Sequence, residues 1–129
     1  TYRAQTVSFN FARLEFARKN YDAALVYLQT AEYKDLVNKL IAKMLMVKIY
    51  FEQGEFETLG FHLDSFQQFI RRREVSDYYR ANYLNIIKYT NRIVALGKYD
   101  ISTKEKLRND IQKEQILSER DWLLEKLIR

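Results

Sequence analysis

Residues 17–31 read ARKNYDAALVYLQTA. A short polar turn, Lys19 and Asn20, is followed at once by an aromatic, Tyr21. Ala24, Leu25, Leu28 and Ala31 then recur at the three- and four-residue spacing that gathers side chains on one face of a helix. The pattern returns in FEQGEFETLGFHLDSF, residues 51–66, where Phe56 follows a turn through Gly54 and is itself followed by Leu59, Leu63, Phe66 and Ile70. Tyr21 and Phe56 are 35 residues apart. A third version, ALGKYDISTKEKL from Ala95, aligns Gly97 and Tyr99 with Gly54 and Phe56 at a longer spacing of 43. A period of this size marks chains assembled from helical hairpins, each needing a neighbour to bury its apolar face.

Long helices fill the intervals between turns. Leu36, Val37, Leu40, Ile41, Met44, Leu45 and Ile49 precede the second turn; Ala81, Leu84, Ile87, Asn91 and Val94 precede the third, with Tyr83, Ile86, Thr90 and Ile93 beside them. The 129 residues contain no proline and 3 glycines, which starves hairpin turns of their usual residues and leaves helices uninterrupted. At 47% hydrophobic and 15% aromatic, the chain has ample material for a core. The expectation is an all-α chain of seven helices, about 5–18, 21–32, 35–53, 56–73, 76–96, 103–115 and 118–128. Ser102 with Glu105, and Ser118 with Asp121, have the spacing of a capping box. Gly54 and Gly97 stand where a helix ends in a left-handed residue.

Cysteine is absent and His62 is the single histidine, so disulfides, thiolate chemistry and histidine-rich metal centres are excluded. No apolar run reaches the roughly 18 residues that cross a bilayer; the stretch Met44 to Val47 is bounded by Lys43 and Lys48. Net charge is +5, and its excess falls in the first 50 residues, with eight Lys and Arg against four Asp and Glu. The run Arg71, Arg72, Arg73 follows an apolar helix, where cations offset the negative end of the helix dipole; an anion-binding patch is the alternative.

The residues resemble tetratricopeptide repeats, helix-turn-helix units of about 34 residues. NYDAALVYLQTA matches the second half of that repeat, with Tyr21 the turn aromatic, Ala24 and Ala31 the small packing residues and Leu28 the large one between them. Phe11 and Ala12 fall where the first half takes a large and a small residue. The second unit is looser, with Leu59 and Phe66 at usually small positions, and in the third Thr103 replaces the alanine. The resemblance implies one domain over residues 1–129, a right-handed α-solenoid of about three pairs (5–32, 35–73, 76–115) closed by a capping helix at 118–128. A plain antiparallel bundle is the alternative. So is the pentatricopeptide family, whose repeats bind RNA but carry a proline that this chain lacks.

No nucleophile–base pair, carboxylate pair or phosphate loop stands out, and the expectation is a non-enzymatic interaction protein with no catalytic residue, cofactor or metal. His62 beside Asp64 reads as a surface or interhelical residue, and Glu55 and Glu57 as favourable charges at a helix start. The resemblance places the binding surface on the first helix of each pair: Thr6, Phe9, Arg13 and Phe16; Ile41, Met44, Lys48 and Phe51; Leu84, Ile87, Lys88, Asn91 and Val94. Of these Phe9, Arg13, Phe16, Met44, Lys48, Phe51, Lys88 and Asn91 are the candidate groove, suited to a peptide or helix of another protein. The alternatives are packing of the same residues within the chain, and nucleic-acid or polyanion binding by the basic residues. The two-carboxylate clamp of some family members is disfavoured, because Phe9, Leu45 and Leu84 occupy its polar positions. Trp122, Leu123, Leu124 and Leu127 are expected to dock the last helix on the preceding pair. Tyr2, Val7, Phe9 and Phe11 are expected to continue from an upstream repeat, leaving an edge open to self-association. A start at Thr1 without methionine suggests the C-terminal segment of a longer, bacterial protein, in the cytoplasm or, failing that, the periplasm.

Overall fold

A computed structural model describes residues 2–30, 35–97 and 100–128, without the side chains of residues 2–6 and 30. Seven helices run through the described residues: α1 Tyr2–Ala17, α2 Tyr21–Thr30, α3 Leu36–Glu52, α4 Phe56–Arg72, α5 Asp77–Val94, α6 Ile101–Lys113 and α7 Arg120–Ile128. No strand interrupts them, so the all-α expectation holds, and none is long and apolar enough to cross a membrane. Ala31 and Tyr99, assigned packing and turn roles above, lie outside the described residues, as does the side chain of Thr6. The chain divides into two compact units, Thr1–Leu59 and Gly60–Arg129, with the boundary inside α4.

In the first unit Phe9, Ala12, Ala24, Leu28, Ala42 and Ile49 are buried as one cluster, and Phe16, Tyr21, Ile41 and Leu45 pack around it. Alanines at 12, 24 and 42 let the helix backbones approach closely. The turns at its two ends are copies of one another. After α1 the amide of Lys19 donates to Phe16 and that of Asn20 to Glu15; after α3, Gly54 donates to Phe51 and Glu55 to Tyr50, 35 residues later in each case. Both are Schellman closures, whose penultimate residue must be left-handed. Gly54 adopts φ +72 as expected, but Lys19 does so at φ 64, at a conformational cost that glycine avoids. The aromatic pairs repeat as well, Phe16 with Tyr21 at 5.7 Å and Phe51 with Phe56 at 5.4 Å.

In the second unit α7 packs on both α5 and α6, as the apolar face around Trp122 led us to expect. Leu123 and Leu127 are fully buried, as are Ile86, Ile87, Leu107 and Ile111. Two expected caps are corrected. Asp100, not Ser102, caps α6, its carboxylate accepting from the Thr103 amide at 3.1 Å, so the helix starts two residues early. The Thr103 hydroxyl and amide hold the Asp100 carboxyl below its ordinary range. Ser118 is drawn away to α5: its amide donates to Asn82 Oδ1 at 2.7 Å and its hydroxyl accepts from Asn82 Nδ2 at 2.8 Å, and α7 begins at Arg120. Gly97 is not left-handed either, because α5 has already ended at Val94, with Ala95 its right-handed cap.

Arginines close two of the helix ends. Arg71 and Arg72 occupy the last turn of α4, where positive charge offsets the dipole, while Arg80 of α5 donates to the carbonyls of Ile70 and Arg73. Arg120 reaches the carbonyls of Ile111, Gln112 and Glu114 at the end of α6. These carbonyls have no partner within their own helix, and a guanidinium can satisfy several at once.

Candidate functional site

The eight candidate groove residues separate by burial. In the first unit Phe9, Met44 and Phe51 are buried, Phe16 and Lys48 are half-buried, and Arg13 is exposed. Phe9 belongs to the core cluster, and the Arg13 guanidinium lies 4.6 Å above its ring. Phe51 is turned edge-on to Phe56. The large apolar members of the candidate groove in this unit are therefore engaged within the unit, and Arg13 is the member most available to a ligand. In the second unit Lys88 and Asn91 are both exposed on α5, with Leu84 half-buried beside them. His62 is half-buried, its ring 6.0 Å from that of Phe66.

Lys88 opens a polar network that sequence reasoning missed. Its ammonium is 3.3 Å from Glu114 Oε1 and 4.6 Å from the centre of the Tyr89 ring. Tyr89, on the buried side of α5, donates its hydroxyl to Glu114 at 2.8 Å, and one turn on, Arg92 pairs with Asp110 at 2.9 Å. With Lys113 these residues line a shallow cavity of about 290 Å³ between α5 and α6. Asp110 and Glu114 share one face of α6 at a four-residue spacing, but nothing in the sequence pairs them with a tyrosine 25 positions upstream. A second shallow cavity, about 450 Å³, lies at the α1–α2 turn among Glu15, Lys19, Asn20 and Gln53. Among the described residues no group of three or more His, Asp or Glu is placed to hold a metal ion.

The Tyr89–Glu114 bond shifts both groups. Burial, and then the bond to Glu114, pushes the Tyr89 hydroxyl from 10.0 up to about 12. The Tyr89 hydroxyl, followed by Lys88, holds the Glu114 carboxyl below its ordinary range. A raised tyrosine contributes stability that is complete below about pH 10 and lost as pH rises through about 12. A lowered carboxylate contributes stability that is present above its unfolded value, about pH 4.3, and lost as pH falls through the lower folded one. Urea unfolding as a function of pH should therefore show both losses, and Tyr89→Phe should flatten the alkaline limb and reduce the acid one. An unchanged alkaline limb in Tyr89→Phe would remove this residue from the account.

The charge distribution also looks different by unit. The excess of the first 50 residues is offset within the same compact unit by Glu52, Glu55 and Glu57, whereas Arg71, Arg72, Arg73, Lys88 and Arg92 belong to the second. Searched against protein-family models, curated proteins and solved structures, the chain matches none of them.

Proposed function

We propose that the chain is a non-enzymatic interaction module of the tetratricopeptide kind, which binds a peptide or helix of another protein through residues on the first helices of its hairpins. The observation that carries this reading is the repeated turn: the same closing hydrogen bonds, the same aromatic pair and the same buried position after it, Ala24 then Leu59, recur at an offset of 35 residues. Chains that repeat one hairpin in this way serve as surfaces for other proteins. The polar residues left to meet a ligand are Arg13 and Lys48 in the first unit and Lys88 and Asn91 in the second, and three of the four are cations. They favour a partner segment that carries carboxylates.

A pull-down from native lysate, washed at low and at physiological salt, tests the reading. One discrete protein should be retained at physiological salt and lost from the variant Arg13→Glu, Lys48→Glu, Lys88→Glu with its helical circular dichroism intact. Recovery of nucleic acid alone, and only at low salt, would assign the contacts to phosphate neutralisation instead.

A further inference from the structure

The outward face of α1 is used by none of this. Phe9, Ala12 and Phe16 turn one side of α1 into the core of the first unit. Val7, Phe11 and Leu14 lie on the opposite side of the same helix and are 46, 46 and 42% exposed. The order Val7, Phe11, Leu14, Arg18 steps by four, three and four residues, the period of a coiled-coil seam. A helix with apolar stripes on two opposed sides is built to be covered on both. Phe11 is also stacked on Tyr27 of α2, with centroids 5.4 Å apart and planes within 18°, which carries the stripe across the crease between the two helices.

We propose that this face docks an amphipathic helix of another protein, with the apolar stripe of that helix on Val7, Phe11 and Leu14 and acidic residues along its flanks. Spacing selects a helix: an extended segment, with its period of two, cannot match a 3.5-residue seam. Charge selects the acidic flanks. Arg13, Arg18 and Lys19 are exposed beside the stripe or at its end, while Glu15 already accepts from Asn20 at 2.8 Å and faces Arg18 at 3.7 Å. The same cations disfavour a second copy, because a two-fold contact of this face with itself brings like charges together. The inference rests on the protein-binding reading above but places the partner on a different surface.

Two synthetic helices of equal length provide the test, each with Leu at the a and d positions, one flanked by Glu and the other by Lys at e and g. Binding to the whole chain is followed by fluorescence anisotropy at physiological salt. The Glu-flanked helix should bind tighter than its Lys counterpart by about tenfold or more, and Phe11→Glu and Leu14→Ser should each weaken it by about tenfold. Both sites are exposed, so both variants should keep the wild-type circular dichroism; if one does not, the other decides. Lys48→Glu with Lys88→Glu should leave this binding within about twofold. Loss of pull-down in those two cations with the helix still bound separates the two surfaces. Equal binding of the two helices, or full binding by a folded Phe11→Glu or Leu14→Ser variant, overturns the proposal. So does a dimer in sedimentation that Phe11→Glu dissolves, since the face then belongs to a second copy.

Discussion

Phe66→Ala should cost about 4 kcal/mol of unfolding free energy, the largest loss expected from a single truncation in this chain. Phe66 is fully buried on α4, the largest side chain of which that is true. Its ring lies 5.6 Å from that of Tyr83 on α5 and 6.0 Å from that of His62, so its removal deletes apolar area, two ring contacts and the filling of the space between α4 and α5. The surroundings cannot collapse easily, because Leu63 and Ile70 flank it on the same face and are themselves almost wholly buried. A native domain holds about 0.05–0.15 kcal/mol per residue, so a unit of roughly seventy residues has little beyond this to lose. Thermal unfolding should fall by about 15 °C, and urea unfolding should give the same ranking. Phe66→Leu, which retains most of the apolar volume, should cost less than half as much. A fall of only a few degrees in Phe66→Ala would mean that the α4–α5 contact is far looser than its burial implies.

What could be read in advance was what repeats at short range. The seven helices, their order and most of their ends follow from apolar periodicity and from the turn chemistry at Asn20–Tyr21 and Glu55–Phe56. The failures have physical causes. Ser102 and Asp100 are both competent caps, and the carboxylate, which adds negative charge at the positive end of the helix, takes the position. Lys19 shows why a glycine search misses a left-handed residue: the Schellman bonds and the Phe16–Tyr21 pair hold the backbone there whatever side chain it carries. The candidate groove lost Phe9, Met44 and Phe51 to the interior because apolar residues of one helix look alike whether they face a ligand or a neighbouring helix. Only α1 shows both faces at once, with Phe9 inside and Phe11 outside two positions later. Contacts such as Tyr89 with Glu114 were not readable at all, since they depend on how α6 returns against α5.

The same holds for Asn82, whose loss should cost about 2 kcal/mol. A buried amide in mid-helix is ordinarily unfavourable, and Asn82, 3% exposed on α5, is tolerated because both ends of its side chain are used. Its carbonyl oxygen accepts the Ser118 amide and its nitrogen donates to the Ser118 hydroxyl, while one turn further Asn85 donates to the Ile116 carbonyl at 3.0 Å. Two amides on one helix thus dock the whole α6–α7 connection, and they set the line on which Leu123 and Leu127 enter the core. Asn82→Ala leaves the Ser118 groups without their protein partner; Ser118 itself is exposed, so water replaces part of what is lost and keeps the cost below that of a sealed site. Ser118→Ala alone removes only the hydroxyl and should cost under about 1 kcal/mol. The double variant should cost less than the two singles added together, by about 1 kcal/mol, the coupling of a shared hydrogen bond. Additive losses in that cycle, measured by urea unfolding, would show that Asn82 acts through its own burial rather than by holding α7 to α5.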